Sequence, residues 1–357
     1  MSAAPILFDE LAGQEGGLGL ITLNRPQALN ALNHEMILLL HQKLLHWEKQ
    51  PEIKAVVVRA VEGKAFCAGG DLRFIHEKHE LQDSRLFQFF RDEYRLNHYI
   101  FHYPKPYLAF LNGITMGGGA GISLHGSHCV ATEALLFAMP ETGIGFFPDV
   151  GGTYFLSRLP QGLGLYLGLT GAGLRCDDCL ALQLIDYKVQ AEDLDQILQT
   201  LADTAFHDKA VDAVSQILQT YQKKAALAPL SKHYEAINQA FLKPTVEEIL
   251  ADLENEQSPW HQETLASLQK KSPTSLKVTL KQLQEGKKRD FNQCLELEYG
   301  LMRHFIQGHD FFEGIRSILE KKHRPQWQPA ELNEISSAMV EAFFLPVGNK
   351  TAPLFAE

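Results

Sequence analysis

The sequence is short of cysteine, of long apolar runs and of positive charge, and each shortage excludes something. Five cysteines (Cys67, Cys129, Cys176, Cys179 and Cys294) among 357 residues are too few, and odd in number, for a disulfide framework. They suit reduced thiols in a cytosol-like compartment. No apolar run approaches the ~20 residues that cross a bilayer. Runs such as Met36 to Leu40 are short, and that one sits in an amphipathic pattern. The opening MSAAPILFDELAGQ has no basic region ahead of an apolar one and carries Asp9 and Glu10, so it reads as neither a signal peptide nor an Arg-rich transit peptide. Lys+Arg total 33 against 43 Asp+Glu, a net charge of -10. That argues against a general nucleic-acid surface but leaves room for a local basic pocket facing an anionic ligand. The expectation is a soluble, cytoplasmic protein with no nucleic-acid and no membrane partner.

Several motifs are missing as well. There is no G-x-x-x-x-G-K-[ST], and Gly117-Gly118-Gly119-Ala120-Gly121 misses G-x-G-x-x-G because Ile122 takes the last glycine position. The stretch Gly121-Ile122-Ser123-Leu124-His125 lacks the second glycine of a serine-hydrolase elbow. Cys176-Asp177-Asp178-Cys179 resembles half of a metal site, but no second pair follows at zinc spacing, and both cysteines also fit a helix start. His125 and His128 read as polar residues at a helix end. Glu77-Lys78-His79-Glu80 reads as a solvated face.

What is present is a chain 45% hydrophobic, long enough for one large domain with an appendage or for two domains. Leu18 to Leu23, Lys54 to Ala60, Tyr107 to Leu111 and Cys129 to Thr132 are compact apolar runs bounded by turn residues, as strands are. Between the first two, Asn33 is a plausible helix cap, with Met36, Leu40, Leu44 and Trp47 at helical spacing and Pro51 as the stop. Residues 76–102 read as helix, Gly63 to Gly70 as a loop, and a small-residue helix is expected from Ile122. The strand–helix–strand rhythm indicates an α/β domain with crossover connections. Beyond residue 190 glycine thins out and helix formers dominate, with Pro229, Pro244 and Pro273 as breaks. The division expected is 1–190 as an α/β core and 191–357 as a helical extension.

Two glycine loops follow strands. The run Gly117 to Gly121 opens a helix, where unpaired N–H groups meet a positive helix end, an arrangement that suits an anion or an oxyanion. Close helix–sheet packing explains the same glycines. Phe66-Cys67-Ala68-Gly69-Gly70-Asp71 is a turn in which Gly70 is free to orient its N–H and Asp71 is placed to cap the next helix. Ligands sit beyond the carboxyl ends of parallel strands, so both sets of N–H groups have a route to one atom. Two acids stand in an otherwise apolar or glycine-rich stretch, AMPETGIGFFPDVGG. Glu141 follows a buried strand, where desolvation raises a carboxyl pKa. Asp149 either caps the helix starting near Gly151 or is a second acid of a reaction.

Together ITLNRPQALNAL (21–32), KAFCAGGDL (64–72), NGITMGGGAGISL (112–124) and AMPETGIGFFPDVGG (138–152) resemble the enoyl-CoA hydratase/isomerase (crotonase) superfamily. The likeness covers about residues 15–190. With LELEYGLMRHFIQGHDFFEGIRSILEKK (295–322) and the WQP tail, it extends to the 3-hydroxyisobutyryl-CoA hydrolase branch. The resemblance implies an α/β, crotonase-like spiral of ββα units, with the helical region completing the cover of the active site. It implies hydrolysis of a short 3-hydroxyacyl-CoA thioester, with hydratase or isomerase chemistry, or CoA-ester binding without catalysis, as the alternatives. Gly70 and Gly118 would supply the oxyanion-hole N–H groups. Glu141 and Asp149 would be the catalytic acids, since the position of a hydratase's first glutamate is Gly121 here. Glu93, Gly118, Glu141 and Asp149 would contact the acyl group, and Ala68, Asp71, Lys321 and Lys322 the coenzyme A portion. The two lysines equally suit a helix C-terminus. The implied partner is an acyl-CoA substrate, with no metal and no cofactor beyond the coenzyme A of that substrate. Members often form trimers, so a homo-oligomer is open, although the extension is placed to cover that interface.

Overall fold

β1 (Ile6–Leu11) pairs antiparallel with β2 (Gly17–Leu23), and from there the sheet is parallel. β3 (Ile53–Ala60) lies beside β2, with Leu20 opposite Val57, and β5 (Tyr107–Leu111) pairs with β3 through Val57 and Leu108. β7 (His128–Thr132) and β10 (Tyr187–Val189) complete the order β1-β2-β3-β5-β7-β10. A second sheet holds β4 (Ala65–Cys67), β6 (Ile114–Met116), β8 (Leu136–Ala138) and β9 (Leu174–Arg175), in that order. The computed structural model describes residues 4–13, 16–206, 210–256, 258–320, 322–347 and 354–355.

The chain forms two compact units, each assembled from several segments. The first is Met1–Asp71, Arg95–Phe137 and Leu174–Pro229, and the second is Leu72–Tyr94, Ala138–Gly173 and Leu230–Glu357. In the first, Leu18, Leu20, Val57, Leu108, Phe110, Val130 and Val189 form one face of the parallel sheet. They pack against Ile197, Leu198 and Leu201 of helix Leu194–Asp203 and Val214 and Leu218 of helix Ala210–Tyr221. Burying each such side chain contributes ~1.5–3 kcal/mol, and near-continuous apolar runs are what a doubly covered parallel sheet requires. Helix His34–Glu48 begins as its sequence indicates, with the Asn33 side chain accepting from the N–H of Met36.

The second unit is almost entirely helical. Its core is aromatic: Phe146 stacks on Phe311 with ring centroids 4.3 Å apart, and Phe90, Phe147 and Phe305 surround the pair. Among the described residues, all structure after Val189 is helical or irregular.

Two local readings need correction. The expected loop at 63–70 contains β4, because Ala65, Phe66 and Cys67 are all buried in the second sheet. The helix expected from Ile122 instead spans Gly118–Gly121. It can start that early because its residues are small: a Cβ on Gly119 would lie 2.3 Å from the carbonyl oxygen of Cys67. His128 is a buried strand residue, not a helix-end one. Lys78, expected on a solvated face, is only 6% exposed, while its partner Glu77 faces water.

Candidate active site

In the first unit, Gly70 forms a parallel bridge with Leu32. The bridge uses the Leu32 N–H to the Gly69 carbonyl and the Asp71 N–H to the Leu32 carbonyl. The N–H of Gly70 therefore stands outside that ladder. The left-handed backbone that makes this turn belongs to its neighbour, Gly69, at φ +105. In helix Gly118–Gly121 the internal bonds begin with Ala120 and Gly121 donating to the Gly117 carbonyl, so the Gly118 N–H is outside the helical ladder too. A Cβ placed on Gly69 would come within 3.8 Å of the Gly118 nitrogen, so the two loops lie against each other. The Ala68 N–H donates to Leu29, and the Asp71 carboxylate pairs with Arg25 at 2.8 Å.

In the second unit, four carboxyls share one buried environment: Glu93 (2% exposed), Glu141 (7%), Asp149 (6%) and Glu298 (0%). The Tyr94 hydroxyl donates to Asp149 Oδ2 at 2.8 Å. Glu93 Oε1 and Glu141 Oε2 are buried without a hydrogen-bond partner. Unpaired buried polar atoms are costly and concentrate where a ligand completes them. Burial, then the charge of Asp149, pushes Glu93 and Glu141 well above the usual carboxylate range. Burial pushes Asp149 up to about 7, against the pull of the Tyr94 hydrogen bond. Lys271 is pushed below the usual lysine range by burial, and attraction to Glu141 opposes the shift. Acids poised near neutrality are the expected equipment for general base or nucleophilic work.

Glu141 opens a short 3-10 turn, Glu141–Ile144, whose next residue is pinned by the Thr142 hydroxyl donating to Leu169 at 2.9 Å. Asp149 is not the helix cap. Helix Gly152–Arg158 has Gly151 at its N-cap, and the Asp149 side chain turns to Tyr94 instead. The cap role falls to Glu298 of helix Phe291–Phe305, which accepts from the N–H groups of Gly151 and Thr153 at 2.8 Å each. Glu93 is buried. It sits on the face of helix Arg85–Phe101 that also buries Phe89 and Phe90.

Tyr94, Glu298 and Lys271 are absent from the sequence reading. A signal existed for Glu298, which interrupts the apolar stripe Phe291, Leu295, Leu301, Met302 and Phe305. Lys322 is exposed and lies beyond the end of helix Asp310–Leu319; Lys321 lies outside the described residues.

A model of the enoyl-CoA hydratase/isomerase family matches residues 18–344. The chain belongs to that family. Curated members similar to it include the mitochondrial 3-hydroxyisobutyryl-CoA hydrolase of Xenopus tropicalis, 42% identical over 96% of this chain and 90% of the relative. The human enzyme of the same name is 41% identical over 95% of this chain and 89% of the relative. Among solved structures of the fold, a carnitinyl-CoA dehydratase from Mycobacterium thermoresistibile superposes with TM-score 0.88 at 36% identity, covering 96% of this chain and 97% of the other. An enoyl-CoA hydratase from Rhodobacter sphaeroides gives 0.87 at 34% identity, with 96% and 98% covered. The crotonase-like α/β fold read from the sequence is therefore established. The cytoplasmic location is not: the curated relatives are named mitochondrial, which overturns it. The five cysteines are free and buried, and free thiols do not tell one reducing compartment from another.

Proposed function

We propose that this family member hydrolyses a short 3-hydroxyacyl-CoA thioester, converting 3-hydroxyisobutyryl-CoA to 3-hydroxyisobutyrate and CoA, a step of valine catabolism. The observation that carries the reading is the buried acid pair, Glu141 with an unpartnered Oε2 and Asp149 held by Tyr94. The names of its curated relatives support the substrate. Gly121 stands where a hydratase would carry its first acid, which disfavours water addition to a double bond.

In this mechanism the Gly70 and Gly118 N–H groups polarise the thioester carbonyl. Losing one such donor typically costs roughly 3 kcal/mol of transition-state binding. Glu141 attacks the carbonyl carbon, expelling the CoA thiolate and leaving a mixed anhydride that water then cleaves, or it takes a proton from the attacking water. Asp149 holds the substrate's 3-hydroxyl or orients the water, and Glu93 contacts the acyl group. No redox cofactor is required, since thioester hydrolysis changes no oxidation state.

The test is a thiol-release screen of short 3-hydroxyacyl-CoAs with Glu141→Gln as control. Release by the wild type and not by the variant supports the reading. Hydration of an enoyl-CoA without thiol release would replace it with hydratase chemistry. Single turnover in ¹⁸O-water separates the two routes, because label appears first in Glu141 only through the anhydride.

A further inference from the structure

Asp149 is held from both sides along the backbone by residues far away in sequence. On its N-terminal side, Gln282 of helix Pro273–Gly286 donates from Nε2 to the Pro148 carbonyl at 2.7 Å. The same nitrogen donates to the Thr153 hydroxyl at 2.7 Å. On its C-terminal side, Glu298 takes the Gly151 N–H on one carboxylate oxygen and the Thr153 N–H on the other. Gln282 and Glu298 are both 0% exposed. Between the two grips, Val150 is held at φ +51, a left-handed conformation that a β-branched residue resists. Such a turn persists only where its surroundings over-determine it.

Both residues are buried polar groups. Gln282 shares its helix face with Val278 and the buried Ser275 and Thr279, and Glu298 lies among Leu295, Leu301 and Met302. Apolar side chains of the same shape would fill the space but leave these backbone groups without the partners that Gln282 and Glu298 supply. What apolar side chains cannot do is fix three backbone groups within four residues of Asp149.

We infer that Gln282 and Glu298 are positioning residues that clamp the strained turn carrying Asp149 in its working orientation, so the helical region helps build the site. The inference rests on the reading of Asp149 as a reacting acid. The titratable groups near the clamp are Tyr94, Glu141, Asp149 and Cys294. The test therefore relies on coupling and backbone protection, not on a pH shift.

The experiment uses full-length Gln282→Met and Glu298→Gln, each alone and combined with Asp149→Asn. It measures thiol release from 3-hydroxyisobutyryl-CoA, thermal unfolding, and amide exchange of the segment 146–153. With Tm near the wild-type value, each single variant should lower kcat by ~10- to 100-fold, leave KM nearly unchanged, and lose exchange protection in that segment. In the Asp149→Asn background the same changes should add almost nothing, since they act through Asp149. Variants that fold and keep wild-type kcat overturn the clamp. So do losses that multiply in the Asp149→Asn background, or unaltered exchange protection. If Glu298→Gln does not fold, Gln282→Met, a neutral-for-neutral change, decides alone. A wild type without thiol release, or an Asp149→Asn variant of full activity, fails the functional reading instead. In the first of these cases the exchange measurement still judges the clamp; in the second the clamp falls with Asp149.

Discussion

The Tyr94 hydroxyl and the Asp149 carboxylate form a 2.8 Å hydrogen bond between two buried side chains of the second unit. A hydroxyl donor favours the ionised carboxylate, and here it opposes the desolvation that lifts Asp149 to about 7. Tyr94→Phe removes the donor and leaves the ring. The Asp149 pKa should then rise further, moving the acidic limb of the kcat/KM profile to higher pH and lowering the rate at pH 7 by ~10-fold. A profile that falls uniformly with no displaced limb would show that Tyr94 only fills space.

Much of this was legible in the sequence for a physical reason. Parallel strands buried on both faces must be written as apolar runs, so LGLITL and YLAFL announce β2 and β5 directly. Glu141 was legible because an acid after a buried strand has nowhere wet to go. Asp149 was only half legible. Its position before a glycine pair is what a cap looks like, and the partner that displaces it from that role comes from Glu298, 149 residues later in the chain. Local sequence cannot show which distant side chain satisfies an orphan N–H. The apolar stripe of helix Phe291–Phe305 shows only that a buried acid there needs a partner.

Glu141 is the group whose loss should be least tolerable. Its Oε2 has no partner among the described residues, and burial and then Asp149 lift its pKa, so it must give up its proton before it attacks or serves as base. Glu141→Gln should reduce thiol release by at least ~10³-fold while CoA-ester affinity, read by calorimetry, stays within a few-fold of wild type. A variant near the native rate would remove Glu141 from the mechanism.

The glycine at position 121 makes a separate claim. It is wholly enclosed within helix Gly118–Gly121, and it offers no side chain to hold or deliver a proton. Water addition to crotonyl-CoA should therefore run at least ~10²-fold more slowly than thioester hydrolysis, because one member of an acid–base pair is missing. The loss of enoyl absorbance measures the first rate and thiol release the second. Comparable rates would mean that another group supplies the missing acid.

Acids kept buried for catalysis also leave a mark on stability. Asp149 titrates at about 7 in the folded chain against an ordinary value of 3.8. Between those values the folded state binds more protons than the unfolded one, so stability must fall as pH rises. The contribution is fully present below the unfolded pKa and is lost as pH climbs through about 7; Glu298, lifted to about 8 by burial, extends the window upward. Asp149→Asn removes one titrating group and keeps the shape of the side chain. Its Tm should therefore decline less between pH 5 and pH 8 than that of the wild type, with a stability gain on the order of a few kcal/mol at the upper end. Thermal unfolding of the two proteins across that range makes the comparison; losing the Asp149 charge also relieves Glu93 and Glu141, which moves the difference in the same direction. Parallel declines would show that Asp149 carries its charge in the folded chain at ordinary carboxylate pH, and that burial does not set its protonation.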